Sequence, residues 1–229
     1  MNELARLLAP LNTILFAIRS DRVSVAELLG FLTGAAGVWL TVRARISNFP
    51  VGIANSAFFL ALFLSARLYA DSGLQLVYIT LGFVGWWQWL HGSAGRTRLK
   101  VDRSTPGVLV GCVLFVIAGT FGLTLLLRQA HDVAPFWDAL TTAISLSAQF
   151  LLNCKKIENW LFWLATDVIY VPLYLVKGLD LTAVVYVLFF GMSVLGLASW
   201  RRARRPGPPT LGVDTGRPAP GSHVAEPVL

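Results

Sequence analysis

The sequence predicts an all-α integral membrane protein with seven transmembrane helices. Three observations support this prediction: long apolar runs, charged residues that lie between the runs or near their ends with Asp167 as the exception, and a repeat of the first three runs by the last three. Hydrophobic residues make up 55% of the 229 positions and charged residues 14%, whereas a soluble domain is about a quarter charged. A water-soluble core of this size cannot bury so much apolar surface, so lipid is the expected solvent.

Seven apolar runs each approach the roughly 17–25 residues that a helix needs to cross a bilayer. They cover 27–44, 49–66, 70–90, 107–127, 136–153, 159–176 and 180–200. The preceding segment, 1–26, is modestly apolar and carries Arg6 and Pro10, so we expect a retained interfacial segment. The final segment, 201–229, is basic and rich in Pro and Gly, and is expected to be a disordered tail.

The basic residues predict an orientation. When alternate loops are assigned to two sides of the membrane, one side receives 13 of the 19 Lys and Arg residues, including four in the loop 91–106 and the basic residues of the tail. The side richer in Lys and Arg is normally cytoplasmic. We therefore expect a multi-pass inner-membrane protein with its N-terminus outside and its C-terminus in the cytoplasm. The placement of the charges argues against nucleic acid as a partner.

A weak internal repeat at one constant offset divides the chain into 3+1+3 helices. Arg45-Ile46-Ser47-Asn48-Phe49 matches Lys156-Ile157-Glu158-Asn159-Trp160, and the same offset continues without a gap to Trp89 and Trp200. We call the separation of these matched residues the repeat offset. The first repeat would span 27–90, the second 136–200, and 107–127 would be a linker helix. Because the linker helix gives the second repeat the same orientation in the membrane as the first, the repeats are parallel. Parallel repeats are a transporter design that places the substrate site between the halves.

Polar and aromatic side chains recur at steps of three and four residues, which places them on one face of each helix. Polar groups in a membrane are costly unless they face protein or water, so these faces predict a binding cavity. The candidate substrate-binding residues are Asn48, Asn55, Gln75, Trp86, Thr142, Gln149, Asn159, Trp160, Trp163, Asp167, Tyr170 and Tyr174. For Trp89 and Trp200, near the helix ends, a place in the interfacial aromatic belt is the expected role.

The chemistry of these side chains is recognition. Indole and phenol rings stack on planar rings, amides and hydroxyls bond to hydroxyls, and one carboxylate near an indole suits a cation. The predicted substrate is small, neutral or singly cationic, aromatic at one end and hydroxylated at the other. No catalytic, metal-binding or cofactor constellation occurs within the spans, so an enzyme is not expected. The two cysteines are expected to be ordinary apolar residues.

Several stretches resemble the PnuC family of bacterial vitamin transporters over roughly 25–202. The resemblance is carried by Val38–Arg43, Asn48–Asn55, Leu68–Asp71, Gly85–Leu90 and Lys156–Trp163. The last stretch contains the W-x-x-W pattern that this family associates with its ligand site, here Trp160 and Trp163. One departure is Phe49, where the family usually has Trp, which weakens the aromatic set of the first half.

The resemblance implies a full-length SWEET-like fold, a homotrimer, and facilitated diffusion of nicotinamide riboside that feeds NAD synthesis, without an energising ion. Net uptake would be sustained by phosphorylation of the substrate inside the cell. Two alternatives stay open: the same carrier moving thiamine, riboflavin or a nucleoside, and proton-coupled transport through Asp167. A scaffold without transport would not need polar faces on so many helices.

Overall fold

Seven α-helices make up most of the part of the chain that the computed structural model describes, which is residues 14–18, 21–65, 69–92, 99–129, 134–176, 178 and 180–204. They are α1 (Val25–Val42), α2 (Asn48–Ser65), α3 (Tyr69–His91), α4 (Pro106–Gln129), α5 (Pro135–Asn153), α6 (Asn159–Val176) and α7 (Asp180–Arg204). These bounds agree with the seven predicted apolar runs. The prediction of a disordered tail over 201–229 is wrong for its first four residues, because the last turn of α7 extends to Arg204; the residues from 205 onward lie outside the described ones.

The segment before α1 departs from the all-helical pattern. Strands β1 (Ile14–Ile18) and β2 (Asp21–Ser24) form an antiparallel pair in which Phe16 lies opposite Val23. The expected interfacial segment 1–26 therefore contains a short hairpin among its described residues. Its interfacial position stays a prediction.

Local sequence explains several helix ends. Pro135 stands in the first turn of α5, where a missing N–H costs no hydrogen bond. Asp71, Asp138 and Asp180 stand in the first turns of α3, α5 and α7, where a carboxylate interacts favourably with the helix dipole. The last turn of α7 is basic, which suits the negative end of its dipole.

Hydropathy separates the helices into two groups. Among the described residues, α2, α4, α6 and α7 are long and apolar enough to cross a membrane by length and composition, and α1 is apolar over a shorter stretch, Leu28–Val42. The helices α3 and α5 carry Asp, Gln, Ser and Thr residues that lower their hydropathy. Many of these residues line an internal cavity, described below, so their polarity does not face the outside of the bundle.

The helices pack as two groups of three. The first half is α1–α3 and the second half is α5–α7. Helices α1 and α7 pack together, and so do α3 and α5, which closes a ring around the centre. Helix α4 packs mainly on α5, and its other faces expose large apolar residues such as Ile117 and Phe121. A polypeptide with this surface requires an apolar surrounding.

The same local structure occurs twice, separated by the repeat offset. Ala44, between α1 and α2, has a left-handed backbone with φ 48°, and Lys155, between α5 and α6, has φ 56°. The Ala44 N–H donates to the Thr41 carbonyl at 2.8 Å, and the Lys155 N–H donates to the Leu152 carbonyl at 2.8 Å. Two non-glycine residues in this unusual conformation at matched positions show that the two turns are built alike.

One end of the bundle is basic, and we call it the basic end. It consists of the α1–α2 and α5–α6 turns and the last turn of α7, and it carries Arg43, Arg45, Lys155, Lys156, Arg201, Arg202 and Arg204. The segment 99–105, which precedes α4, also lies there, because Asp102 pairs with Lys156 in an isolated parallel bridge. This end belongs to the side to which the alternation of loops in the sequence assigns 13 of the 19 basic residues.

Candidate functional site: a central cavity between the two halves

A cavity of about 520 Å³ lies between the two halves of the bundle. Its volume falls in the range of about 300–1,000 Å³ typical of small-molecule sites. Nine of the twelve residues expected to bind substrate line it: Asn48, Asn55, Gln75, Thr142, Gln149, Trp160, Trp163, Asp167 and Tyr170. Helices that are far apart in sequence thus bring these side chains to one place.

Three of the expected residues do not line the cavity. Asn159 is fully buried, and its amide nitrogen donates to the Lys156 carbonyl, so the side chain joins the start of α6 to the preceding turn. Tyr174 stacks on Tyr170 at 5.4 Å between ring centroids. Trp86 packs on Phe83 and against the buried core.

The structure adds α1 to the cavity wall, which the polar faces had not indicated. Thr33, Gly34, Gly37, Val38 and Thr41 line the cavity at helical spacing. The repeat could have found them, because Gly34 and Val38 are the first-half equivalents of Ser145 and Gln149. Helix α4 contributes none of the described lining residues.

Most of the cavity wall obeys the repeat. Eleven pairs of lining residues are separated by the repeat offset: Gly34/Ser145, Val38/Gln149, Thr41/Leu152, Phe49/Trp160, Gly52/Trp163, Asn55/Thr166, Ser56/Asp167, Phe59/Tyr170, Gln75/Tyr186, Tyr78/Phe189 and Gly82/Ser193. The pairs are chemically unequal. Opposite the second half's Trp163 and Asp167, the first half has Gly52 and Ser56. The second half therefore supplies the more distinctive groups of the wall.

Asp167 is a buried acidic group on the cavity wall. Its carboxylate accepts a hydrogen bond of 3.2 Å from the Ser193 hydroxyl on α7. Only one of the two oxygens is occupied by that bond. A buried carboxylate needs compensating partners, and a bound ligand with hydroxyl, amide or cationic groups would supply them.

Hydrogen bonds between side chains fix other polar groups of the wall. Ser145 donates to the Thr142 carbonyl at 3.0 Å, so the Tyr78 hydroxyl is the donor in its 2.7 Å contact with Ser145. The Asn55 amide nitrogen bonds to the Gly30 carbonyl and to Thr33, which leaves its oxygen as an acceptor. These bonds hold the wall in one geometry, as a binding site requires.

The deep end of the cavity offers unused donors. The Asn48 amide nitrogen and the Trp160 indole nitrogen are buried and have no hydrogen-bond partner among the described residues, and both residues line the cavity. A buried donor without a partner costs about 1–3 kcal/mol. A ligand carbonyl or hydroxyl placed at this end would remove that cost.

An aromatic layer separates the deep end from the basic end. It consists of Phe49, Trp89, Trp160 and Trp200, which are all buried. Phe49 packs edge-to-face on Trp89 at 5.0 Å, and Trp160 packs edge-to-face on Trp200 at 5.6 Å. The expected belt role of Trp89 and Trp200 is therefore wrong, since they are 4% and 1% exposed. Each indole N–H is bonded to a backbone carbonyl of the other half and so is not left to bond to water or lipid headgroups.

The far end of the cavity reaches the surface. Asp71, in the first turn of α3, lines the cavity and is exposed. Between this end and the centre, Tyr170, Tyr174 and Tyr186 stack with centroid distances of 4.6 to 5.4 Å. The cavity thus extends to an exposed residue at the end opposite the basic one, whereas the buried aromatic layer lies between it and the basic end.

The charge on the wall is acidic. Asp71 and Asp167 line the cavity, and no Lys or Arg does so among the residues that the structure describes. Within the same residues, no cluster of His, Cys, Asp and Glu is able to hold a metal ion. Cys112 and Cys154 are free, and neither lines the cavity. The lining groups suit recognition of a small molecule, and the described ones include no nucleophile paired with a base.

Comparison with known proteins agrees with this picture. A family model described as "Nicotinamide mononucleotide transporter" matches residues 24–202. The "Nicotinamide riboside transporter PnuC" of Escherichia coli is 25% identical over 210 residues, which cover 80% of this chain and 87% of that protein. The "Riboflavin/roseoflavin transporter RibM" of Streptomyces davaonensis is 24% identical over 206 residues, which cover 88% and 96%.

The fold is also that of a solved relative. The crystal structure of "the Vitamin B3 transporter PnuC" superposes with a TM-score of 0.61 at 23% identity, covering 78% of this chain and 80% of that one. The family match spans both halves and the cavity between them. The chain therefore belongs to the nicotinamide mononucleotide transporter family, and it is a multi-pass membrane transporter and not an enzyme.

Proposed function

We propose that this chain carries nicotinamide riboside across the membrane by facilitated diffusion, feeding NAD synthesis. The observation that supports this most is the cavity wall, where a buried carboxylate, two indoles and two unused donors surround a space of about 520 Å³. Nicotinamide riboside has a cationic ring, a carboxamide and ribose hydroxyls. The ring suits Trp163 and Asp167, because an indole face and a carboxylate both attract a cation. The carboxamide oxygen suits the donors of Asn48 and Trp160.

The charge of the wall favours the riboside over the mononucleotide. A phosphate group is bound in proteins mainly by Arg, Lys, helix N-termini or a metal ion. The described part of the wall carries two carboxylates and no cationic side chain. A phosphorylated substrate would meet repulsion where the riboside meets attraction. The relative from Escherichia coli is likewise described as a nicotinamide riboside transporter.

We further propose a SWEET-like 3+1+3 arrangement with seven spans and alternating access. The matched turns at Ala44 and Lys155 and the paired lining residues support two equivalent halves about the cavity. Rocking of such halves would expose one site to each side in turn. The proposed orientation places the basic end in the cytoplasm of a bacterial inner membrane, with the N-terminus outside, because Lys and Arg accumulate on the cytoplasmic side.

A second candidate substrate is riboflavin, favoured by the relative from Streptomyces davaonensis whose name carries that vitamin. Thiamine and nucleosides belong to the same group of alternatives. Proton coupling through Asp167 is the remaining alternative, since this carboxylate is buried on the cavity wall. Uptake into sealed vesicles that stops when a protonophore is added would support coupling, and unchanged uptake supports the uniporter.

We also propose that the protein assembles as a homotrimer. The exposed apolar surface of α4, with Ile117 62% and Phe121 70% exposed, leaves room for a further chain in the membrane. Native mass measurement in mild detergent tests this. Three chains per particle are expected, and a monomer at all detergent concentrations contradicts the proposal.

The site assignment is tested by two substitutions. Trp163→Ala and Asp167→Asn should abolish or severely reduce nicotinamide riboside uptake in vesicles while the protein still inserts. Trp137→Ala is a matched control, because Trp137 is 46% exposed and does not line the cavity. Uptake at the level of the unmodified protein by both site variants overturns the assignment.

A further inference from the structure

The aromatic layer at the basic end contains a pair of reciprocal contacts. The Trp89 indole N–H, in the first half, donates to the Leu152 and Asn153 carbonyls of the second half, both at 3.2 Å. The Trp200 indole N–H, in the second half, donates to the Thr41 carbonyl of the first half at 3.0 Å. Trp89 and Trp200 are separated by the repeat offset, and so are Thr41 and Leu152. The two hydrogen bonds therefore occupy equivalent positions in the two repeats.

We propose that Trp89 and Trp200 form a twin latch that closes the cavity at the basic end and that must open for substrate to pass there. This inference rests on the proposed alternating-access transport. Both bonds join one half to the other, so a rocking motion that separates the halves at this end breaks both together. Because the carbonyls belong to the ends of α1 and α5, the latch acts where the two equivalent turns begin.

Close packing supports the latch. A Cβ added to Gly196 would lie 2.4 Å from the Trp160 indole, and one added to Gly85 would lie 2.5 Å from the Phe49 ring. These two glycines also occupy matched positions of the repeat. In each half, a glycine thus leaves room for the ring that lines the cavity, Phe49 or Trp160, and this ring packs on the latch tryptophan of the same half. The four buried rings of the aromatic layer thus pack between the cavity and the basic end.

One of the two latch bonds is reinforced. The Lys155 ammonium lies 4.2 Å above the centre of the Trp89 ring and donates to the Leu99 carbonyl at 3.0 Å. The segment around Leu99 is itself held on the α5–α6 turn, because the Ile157 N–H donates to the Asp102 carbonyl at 2.9 Å. In the first half the residue equivalent to Lys155 is Ala44, which has no side-chain charge. The Trp89 bond is therefore the more strongly held of the two.

Accessibility of a reporter thiol tests the latch. Val38 lines the cavity near its deep end, so Val38→Cys, with Cys112 and Cys154 replaced by Ala, provides the reporter. The probe is a membrane-impermeant maleimide added to inside-out vesicles, which present the basic end. The reporter protein should react slowly from this side. Trp89→Phe and Trp200→Phe keep an apolar ring but remove the N–H donor, and each should raise the labelling rate about three- to tenfold.

The controls separate the latch from general damage. Trp87→Phe alters a neighbouring tryptophan that is 66% exposed and should leave labelling unchanged. Lys155→Met keeps the side-chain stem, removes the charge over Trp89, and should raise the rate about twofold, which provides a milder variant if the tryptophan variants do not fold. An unchanged rate in every variant that folds overturns the latch.

Binding of nicotinamide riboside, measured on protein that keeps Val38, distinguishes the two proposals. If the riboside binds and the tryptophan variants label at the parent rate, the latch is wrong and the proposed function stands. If the variants label faster while no vitamin binds, the latch stands and the proposed substrate is wrong.

Discussion

Gly196→Ala, on α7, should displace the Trp160 ring at the deep end of the cavity. A Cβ at this position would lie 2.4–2.5 Å from three carbon atoms of the Trp160 indole. Carbon atoms in favourable contact are about 3.5–4.0 Å apart, so the ring or the helix must move by roughly 1 Å. Both are buried, and overpacking a closed core costs about 1–3 kcal/mol. Because Trp160 lines the cavity, the same movement should weaken substrate binding.

The assay is thermal unfolding of the purified protein together with a binding titration. Gly191→Ala is the matched control, since Gly191 lies on the same helix, is exposed, and has nothing within 4 Å of an added Cβ. We expect a lower melting temperature and weaker binding for Gly196→Ala only. Equal melting temperatures and equal affinities for the two variants would refute the close packing of α7 at Gly196 on the Trp160 ring.

Two further predictions concern single hydrogen bonds and charges. Tyr78→Phe removes the 2.7 Å hydrogen bond to Ser145 and should lower the free energy of unfolding by about 0.5–1.5 kcal/mol. Ser145→Ala should then cost less stability in the Tyr78→Phe background than in the unmodified protein. If the losses of stability of the two single variants simply add in the double variant, the bond is contradicted. At the basic end, the pKa of Asp102 lies below its usual 3.8 because of the Arg103 backbone N–H, Lys156 and Arg204. The ionised carboxylate therefore stabilises the fold above pH 3.8, and this stabilisation is lost as the pH falls through the lowered pKa. Asp102→Asn should thus lower the melting temperature slightly at neutral pH and not at strongly acidic pH, and a difference that grows on acidification contradicts this.

The helices and nine residues of the cavity wall could be predicted from the sequence, because lipid imposes simple rules on composition. Apolar length fixed the helix bounds, and helical spacing brought Asp167, Trp163 and Gln149 to one wall. The contribution of α1 was missed because its lining residues are mostly glycine, valine and threonine, which also occur in ordinary helix packing. The repeat offset held the missing information, since α1 must occupy the place in the first half that α5 occupies in the second.

The role of the terminal tryptophans could not be derived from spacing. Trp87, Trp89 and Trp200 all stand near helix ends, and an indole there is usually interfacial. What distinguishes Trp89 and Trp200 from Trp87 is a backbone carbonyl of the other half within hydrogen-bond distance. That distance depends on how the two halves meet, which is a tertiary property. The hairpin before α1 likewise lay outside a prediction based on apolar runs.

The most direct test of the proposed substrate is a titration of the purified protein with nicotinamide riboside, nicotinamide mononucleotide and riboflavin. The acidic cavity wall predicts micromolar binding of the riboside and binding of the mononucleotide weaker by at least about 100-fold, which corresponds to about 2.7 kcal/mol. Riboflavin should bind more weakly than the riboside. Binding of the mononucleotide as tight as that of the riboside, or binding of riboflavin alone, would contradict the proposed function.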